Sequence, residues 1–67
     1  MDNRDRAERA FRTLLVYRQR IDDHESDEET VITDLITDLF HLSDEYAVNM
    51  ESCFTMAEIH YNAETEG

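Results

Sequence analysis

Lysine, proline and tryptophan do not occur among these 67 residues; glycine occurs once, at the last position, and cysteine once. Each absence removes a class of protein. A lone Cys53 closes no internal disulfide, no Cys/His spacing resembles a structural zinc site, and a single thiol fits a reducing compartment. Without lysine or a glycine-rich loop there is no P-loop to cradle phosphate. With so little proline and glycine the chain has few points at which to turn, and the dipeptides that mark hairpins are missing, which argues for helices and against strands. No apolar run approaches the roughly 20 residues of a membrane span, and no signal peptide is visible. The expectation is a cytoplasmic chain that does not enter a membrane.

What the sequence has in excess is acid. Seventeen acids face six arginines, for a net charge of −11. Residues 1–20 hold all six arginines and three acids (Asp2, Asp5 and Glu8), a net +3, whereas residues 21–67 hold fourteen acids with no arginine or lysine, −14. Such a body repels nucleic acid and anionic membranes and attracts basic protein surfaces at a distance. A nucleic-acid binder needs a basic face with interleaved aromatics, and only the first twenty residues offer arginines, so direct nucleic-acid binding is not expected.

The chain is organised around Thr30–Leu42, TVITDLITDLFHL, with its near-repeat TDLI/TDLF. At 100° per residue, Val31, Ile32, Leu35, Ile36, Leu39 and Leu42 share one broad apolar arc, while Asp34, Asp38 and His41 run along its flank at i, i+4 and i+7. Upstream, Asp2 or Asn3 caps a first helix over residues 4–21. Its apolar residues Ala7, Ala10/Phe11, Leu14, Tyr17 and Ile21 form an a/d seam suited to lengthwise packing. Arg18 falls inside that apolar arc; its stem lies on the core with its head in water, or it pairs with Asp34, Asp38 or Glu64. Residues 22–29, DDHESDEE, break the helix by like-charge repulsion, and Ser26 with Glu29 has the form of a capping box for a second helix over 30–44. Asn49 caps a third over 50–64, where Met50, Cys53, Phe54, Ala57, His60 and Tyr61 share a face. His60, on that face, reads as a buried or half-buried imidazole bonded to a carbonyl or carboxylate.

A chain this short buries only about 60% of its unfolded surface, so a disulfide, a metal or a partner chain usually completes it. With no disulfide available, self-association is expected, through Phe11, Leu14, Tyr17 and Ile21 of the helix-one seam. The predicted fold is all-α: a three-helix bundle, or a helical hairpin with one long helix, that self-associates.

Candidate chemistry is sparse. Asp34, Asp38 and His41, with His60 and Glu64, have spacings from which up to five ligands converge if the two helices lie side by side, and Mg²⁺ or Mn²⁺ accepts carboxylates. Neither H-E-x-x-H nor E-x-x-H is present, and aspartates beside an amphipathic helix ordinarily form its solvated side, so no metal or other cofactor is expected. Cys53 occupies an apolar helix position with nothing basic beside it, and the serines lack a nucleophile's setting; no enzymatic activity is expected. The acidic surface remains. Asp22, Asp23, Glu25, Asp27, Glu28, Glu29, Asp34 and Asp38 present carboxylates at spacings set by helix geometry, and such an array imitates a phosphate backbone before the arginine-lined groove of a nucleic-acid-binding protein. The bland alternative is that acids without lysine simply keep the surface hydrated.

The pattern Asp34-Leu35-x-x-Asp38-Leu39-x-His41 followed by Ala57-x-x-His60-Tyr61-x-Ala63-Glu64 resembles a group of short, uncharacterised helical proteins of bacteria, phages and plasmids. The resemblance covers residues 30–64 and implies an architecture without a mechanism. In type, a tiny acidic chain is similar to phage-encoded inhibitors of host defence, the anti-CRISPR and anti-restriction proteins, although no motif identifies that class. The function expected is therefore a small acidic inhibitor that binds the basic surface of a nucleic-acid-handling complex. The alternatives are a structural adaptor whose acidity only solvates it and a metal-binding bundle.

Overall fold

The computed structural model describes residues 2–66, which form three helices and, among them, no strand: α1 (Asn3–Arg20), α2 (Glu28–Tyr46) and α3 (Met50–Glu66). None of these helices is long and apolar enough to cross a membrane. At about 1.5 Å per residue each runs roughly 25–29 Å.

The helix starts follow from side-chain oxygens. Asp2 caps α1 by accepting from the Asp5 N–H at 2.8 Å, Asp27 caps α2 by accepting from the Thr30 N–H at 2.9 Å, and the Asn49 Oδ1 accepts from the Ser52 N–H at 3.2 Å at the head of α3. The capping residue of α2 is thus Asp27, where the sequence suggested Ser26 with Glu29. Ser26 is otherwise engaged: its N–H donates to the Asp23 carboxylate at 3.0 Å and its carbonyl accepts from Arg18 at 2.8 Å. Asp27, one residue on, is left to receive an orphan N–H of the first turn.

Both helix exits use one device. Asp22 (φ 53°) and Ala47 (φ 54°) are left-handed, and the next N–H in each case folds back five residues, Asp23 to the Arg18 carbonyl (3.0 Å) and Val48 to the Ser43 carbonyl (2.9 Å). This closure ordinarily carries glycine. A chain whose sole glycine is its last residue must place other residues there. Aspartate is among the residues that tolerate the region, whereas alanine has no compensating side chain and costs about 1 kcal/mol. The break after α1 is therefore made by a left-handed turn and an Asp23 side-chain turn more than by repulsion along DDHESDEE.

α1 and α2 cross over a short stretch, and the core sits at that crossing. Leu14 and Val31 are its buried apolar residues, Val31 completely so. Leu35 lines a shallow depression with Ala10 and Thr13 of α1. The a/d seam of α1 is thereby divided: Leu14 is buried and Tyr17 and Ile21 half-buried within the chain, while Phe11 remains exposed. Three of the four residues expected to meet another chain are covered, at least partly, by this one.

α3 is loosely held. Phe54 meets Phe40 of α2 with ring centroids 5.7 Å apart, and at the far end Glu64 accepts from Arg6 at 3.0 Å while its carbonyl takes the Asn3 side-chain amide at 3.1 Å. From Glu51 to Thr65 every residue is exposed. The apolar face expected for this helix exists in the sequence but faces little protein. Cys53 and His60 consequently lie exposed, where a packed cysteine and a buried imidazole were anticipated. The whole chain is expanded: its radius of gyration is 13.5 Å, against about 11 Å for a compact domain of this length.

Candidate acidic interaction surface

The acidic segment between α1 and α2 is an ordered structure built on its own carboxylates. Asp23 accepts N–H groups from Glu25 (3.2 Å) and Ser26 (3.0 Å), and Asp27 accepts that of Thr30. These bonds favour the ionised form. Hydrogen bonding from Ser26 holds the Asp23 carboxyl below the usual aspartate range, and Thr30 does the same for Asp27, with the nearby Arg18 charge adding to both. Stability contributed by such groups is present above the ordinary carboxylate pKa and is lost as pH falls through the lowered, folded-state value.

Arg18 ties this segment to α1. Its side chain is largely covered, donates to the Ser26 carbonyl at 2.8 Å and lies 3.8 Å from the Glu28 carboxylate, whose own side chain is mostly exposed. None of the partners expected from the sequence, Asp34, Asp38 or Glu64, is the one it meets. Arg18 comes from the last turn of α1, so its reach is toward the loop that follows, and Glu64 is taken by Arg6 at the opposite end.

Asp34 and Asp38, one turn apart on α2, face the same quarter. Tyr17 of α1 donates its hydroxyl to Asp38 at 2.5 Å. This bond, then partial burial, then the charges of Asp38 and Asp34 push the phenol up to about 12. A raised phenol pKa stabilises the fold fully below the unfolded value near 10 and ceases to do so as pH climbs through about 12. The protein is expected to lose stability between about pH 10 and 12, and Tyr17→Phe should flatten the melting temperature across that window; circular dichroism melts at stepped pH read this directly.

Tyr17, Ile21, Thr37 and the three acids Asp23, Asp34 and Asp38 line one open depression of about 320 Å³. Acids of the loop and acids of α2 thus share a face, joined by an aromatic and an aliphatic side chain of α1. Asp22, Glu25 and Glu29 lie exposed on the same loop and first turn. Among the described residues the ion pairs of Arg6, Arg12 and Arg18 go to Glu64, Glu8 and Glu28. Of the candidate acids these pairs engage Glu28, and the Arg18 charge also reaches Asp23 and Asp27.

The metal ligand set does not assemble. Among the described residues no group of three or more His, Cys, Asp or Glu side chains is placed to hold a metal ion. Asp34 and Asp38 face α1, Glu64 serves Arg6 at the far end, and His41 and His60 are exposed. Convergence of these side chains was conditional on α2 and α3 lying side by side. They meet chiefly near Phe40 and Phe54, so the i, i+4 pairs do not face one another.

The sequence reading missed Tyr17 as part of this surface, having placed it on a seam for another chain. Its signal was present, since a tyrosine in an apolar stripe brings a hydroxyl that needs a partner, and the nearest acids of α2 provide it. Comparison with protein-family models, curated proteins and solved structures finds no match to this chain.

Proposed function

We propose that this is a small acidic protein-binding protein, without catalytic activity, that presents the face made by residues 22–29 with Asp34 and Asp38 to a basic protein surface. The observation that carries the reading is the shared depression of Asp23, Asp34 and Asp38 beside Tyr17 and Ile21. Its carboxylates do not gather closely enough for a metal ion, but an aromatic wall and dispersed acids suit a guanidinium with its aliphatic stem. Carboxylates one helical turn apart stand about 5–6 Å from one another, giving a rigid anionic array of the kind that competes with a phosphate backbone. The role is then inhibition of a nucleic-acid-handling complex, in the manner of the phage-encoded anti-CRISPR and anti-restriction inhibitors, exercised in the cytoplasm by a self-associated form of the chain.

The test is capture of basic proteins from nuclease-treated lysate at low salt, followed by titration of the recovered complex. Affinity should fall at least tenfold between low and moderate ionic strength, because exposed charge pairs are screened over about 10 Å at 0.1 M salt, and duplex DNA should displace the protein from its partner. A complex indifferent to both salt and DNA sinks the proposal. The second reading, a structural adaptor, is favoured by the uncovered apolar residues of α2 and α3. It predicts that neutralising the acids leaves partner binding intact.

A further inference from the structure

α2 ends where its sequence gives no signal to end. Helices ordinarily stop on a glycine, with basic residues in the last turn or a proline shortly beyond. The last turn of α2 instead holds Asp44 and Glu45, acids beside the negative end of the helix, and residues 47–49 that follow are Ala-Val-Asn. Ala47 makes the reversal by taking the left-handed conformation at φ 54°, which a Cβ disfavours. We propose that this turn opens in a pair of copies, so that residues 28–66 run as one helix and α3 of each copy takes the seat of the other's. The proposal rests on the self-association included in the reading above and names its means, which is not the α1 seam that the sequence suggested.

The seam of α2 keeps its phase through the turn. Phe40, Ser43, Ala47, Met50, Phe54 and Ala57 follow one another at alternating steps of three and four, the spacing along one face of an unbroken helix that packs lengthwise. A hairpin makes no such demand, because helices on either side of a turn are phased independently. Ser43 suits a covered seam, since it is buried and its hydroxyl donates to the Phe40 carbonyl at 2.6 Å. Phe40 and Phe54 stand seven residues to either side of Ala47. Two straightened helices crossing antiparallel about a two-fold axis at Ala47 therefore set Phe40 of each copy against Phe54 of the other. That is the pair whose rings meet at 5.7 Å within one chain.

The structure shows what fills the seat, because α3 already occupies it. Phe54 lies against Phe40, and Glu64 engages Arg6 and the Asn3 amide. Exchange remakes each of these contacts between copies and relieves a disfavoured turn in both chains. The carbonyls at the end of α2 and the N–H groups at the head of α3 gain the helical partners that the break denies them. Any other partner would have to imitate α3, whereas a second copy carries it.

Light scattering at tens of micromolar should give about twice 7.9 kDa, falling toward the single-chain mass on dilution. Spin labels at Thr30→Cys and Thr65→Cys, in a Cys53→Ser background diluted with unlabelled protein, should lie about 52 Å apart along a straight helix. That span exceeds the 37 Å longest extent of the folded-back chain. Glycine enters the left-handed turn freely and weakens a helix interior, so Ala47→Gly should weaken dimerisation about a hundredfold or more and return the label distance to that of the hairpin. It suits the observed backbone, so a cooperative melt with unchanged helix content should accompany that loss. A single-chain mass for the parent at every concentration overturns both the exchange and self-association. A doubled mass with the short label distance overturns the exchange and leaves association through another face. A long distance and doubled mass that survive Ala47→Gly overturn the role of the turn. None of these results touches the acidic surface, which is read by partner binding alone.

Discussion

Leu14→Ala is expected to lower the stability of the protein by about 2–4 kcal/mol, the usual cost of emptying a leucine site in a core. Few substitutions here should do more. Leu14 and Val31 are the buried apolar residues at the crossing of α1 and α2, and Val31 has no exposed surface at all. A domain stable by only some 5–15 kcal/mol loses a large share of that margin, and a chain this small sits at the lower end. Met56→Ala provides the contrast. Met56 is half exposed on α3, and truncating it should move stability by no more than about 0.5 kcal/mol. Urea unfolding followed by circular dichroism, with both variants at one fixed protein concentration, measures the difference; fixing the concentration matters because association stabilises the folded form by mass action. Equal destabilisation by the two substitutions would mean that the crossing is not where the fold is held.

The three helices were legible because their evidence is local. The caps at Asp2 and Asn49 and the period of residues 30–42 each depend on neighbours a turn away, and the observed helix ends lie within two residues of those read off the sequence. Exact ends were less accessible. Ser26 and Asp27 both suit a helix start, and the choice between them is made by Arg18 and Asp23, which occupy Ser26 from outside the helix. What could not be read was which apolar face meets which. The a/d seam of α1 looked free for another chain, yet Leu14 and Tyr17 find partners in α2. The stripe of α2 looked like the centre of the core, yet most of it is open. Amphipathic periodicity says that a face will be covered and does not say by what. Where the helices are nearly equal in length and the loops only a few residues long, crossing geometry decides, and that depends on contacts distant in sequence. The same holds for the weak metal-ligand candidates Asp34, Asp38, His41, His60 and Glu64: each i, i+4 pair is sound by itself, but nothing local places the pairs opposite each other.

The acids of the loop divide into two kinds, and the division predicts separable effects. Asp23 and Asp27 hold backbone N–H groups in place, Asp23 within the loop and Asp27 at the head of α2. Among the described residues Glu25 and Glu29 give their carboxylates to no such bond, and the Asp22 carboxylate lies 3.9 Å from His24, at the limit of an ion pair. Replacing Asp22 and the two glutamates together, as Asp22→Asn, Glu25→Gln and Glu29→Gln, should leave the melting temperature unchanged or slightly raised, because it relieves repulsion within a dense run of like charge. The same three changes should weaken binding to a basic partner by about ten- to a hundredfold at low salt and reduce the salt dependence, if recognition runs through that face. Asp23→Asn with Asp27→Asn should do the reverse in order of severity. The melting temperature should fall by several degrees, most at neutral pH and least in acid, where the parent carboxylates are themselves protonated. Partner binding should fall only as far as the missing charge and the loosened loop require. Measuring both properties on both variants is what separates a face that is recognised from a loop that merely folds. If the three exposed acids can be removed without loss of affinity, the carboxylates serve solvation and the partner docks elsewhere.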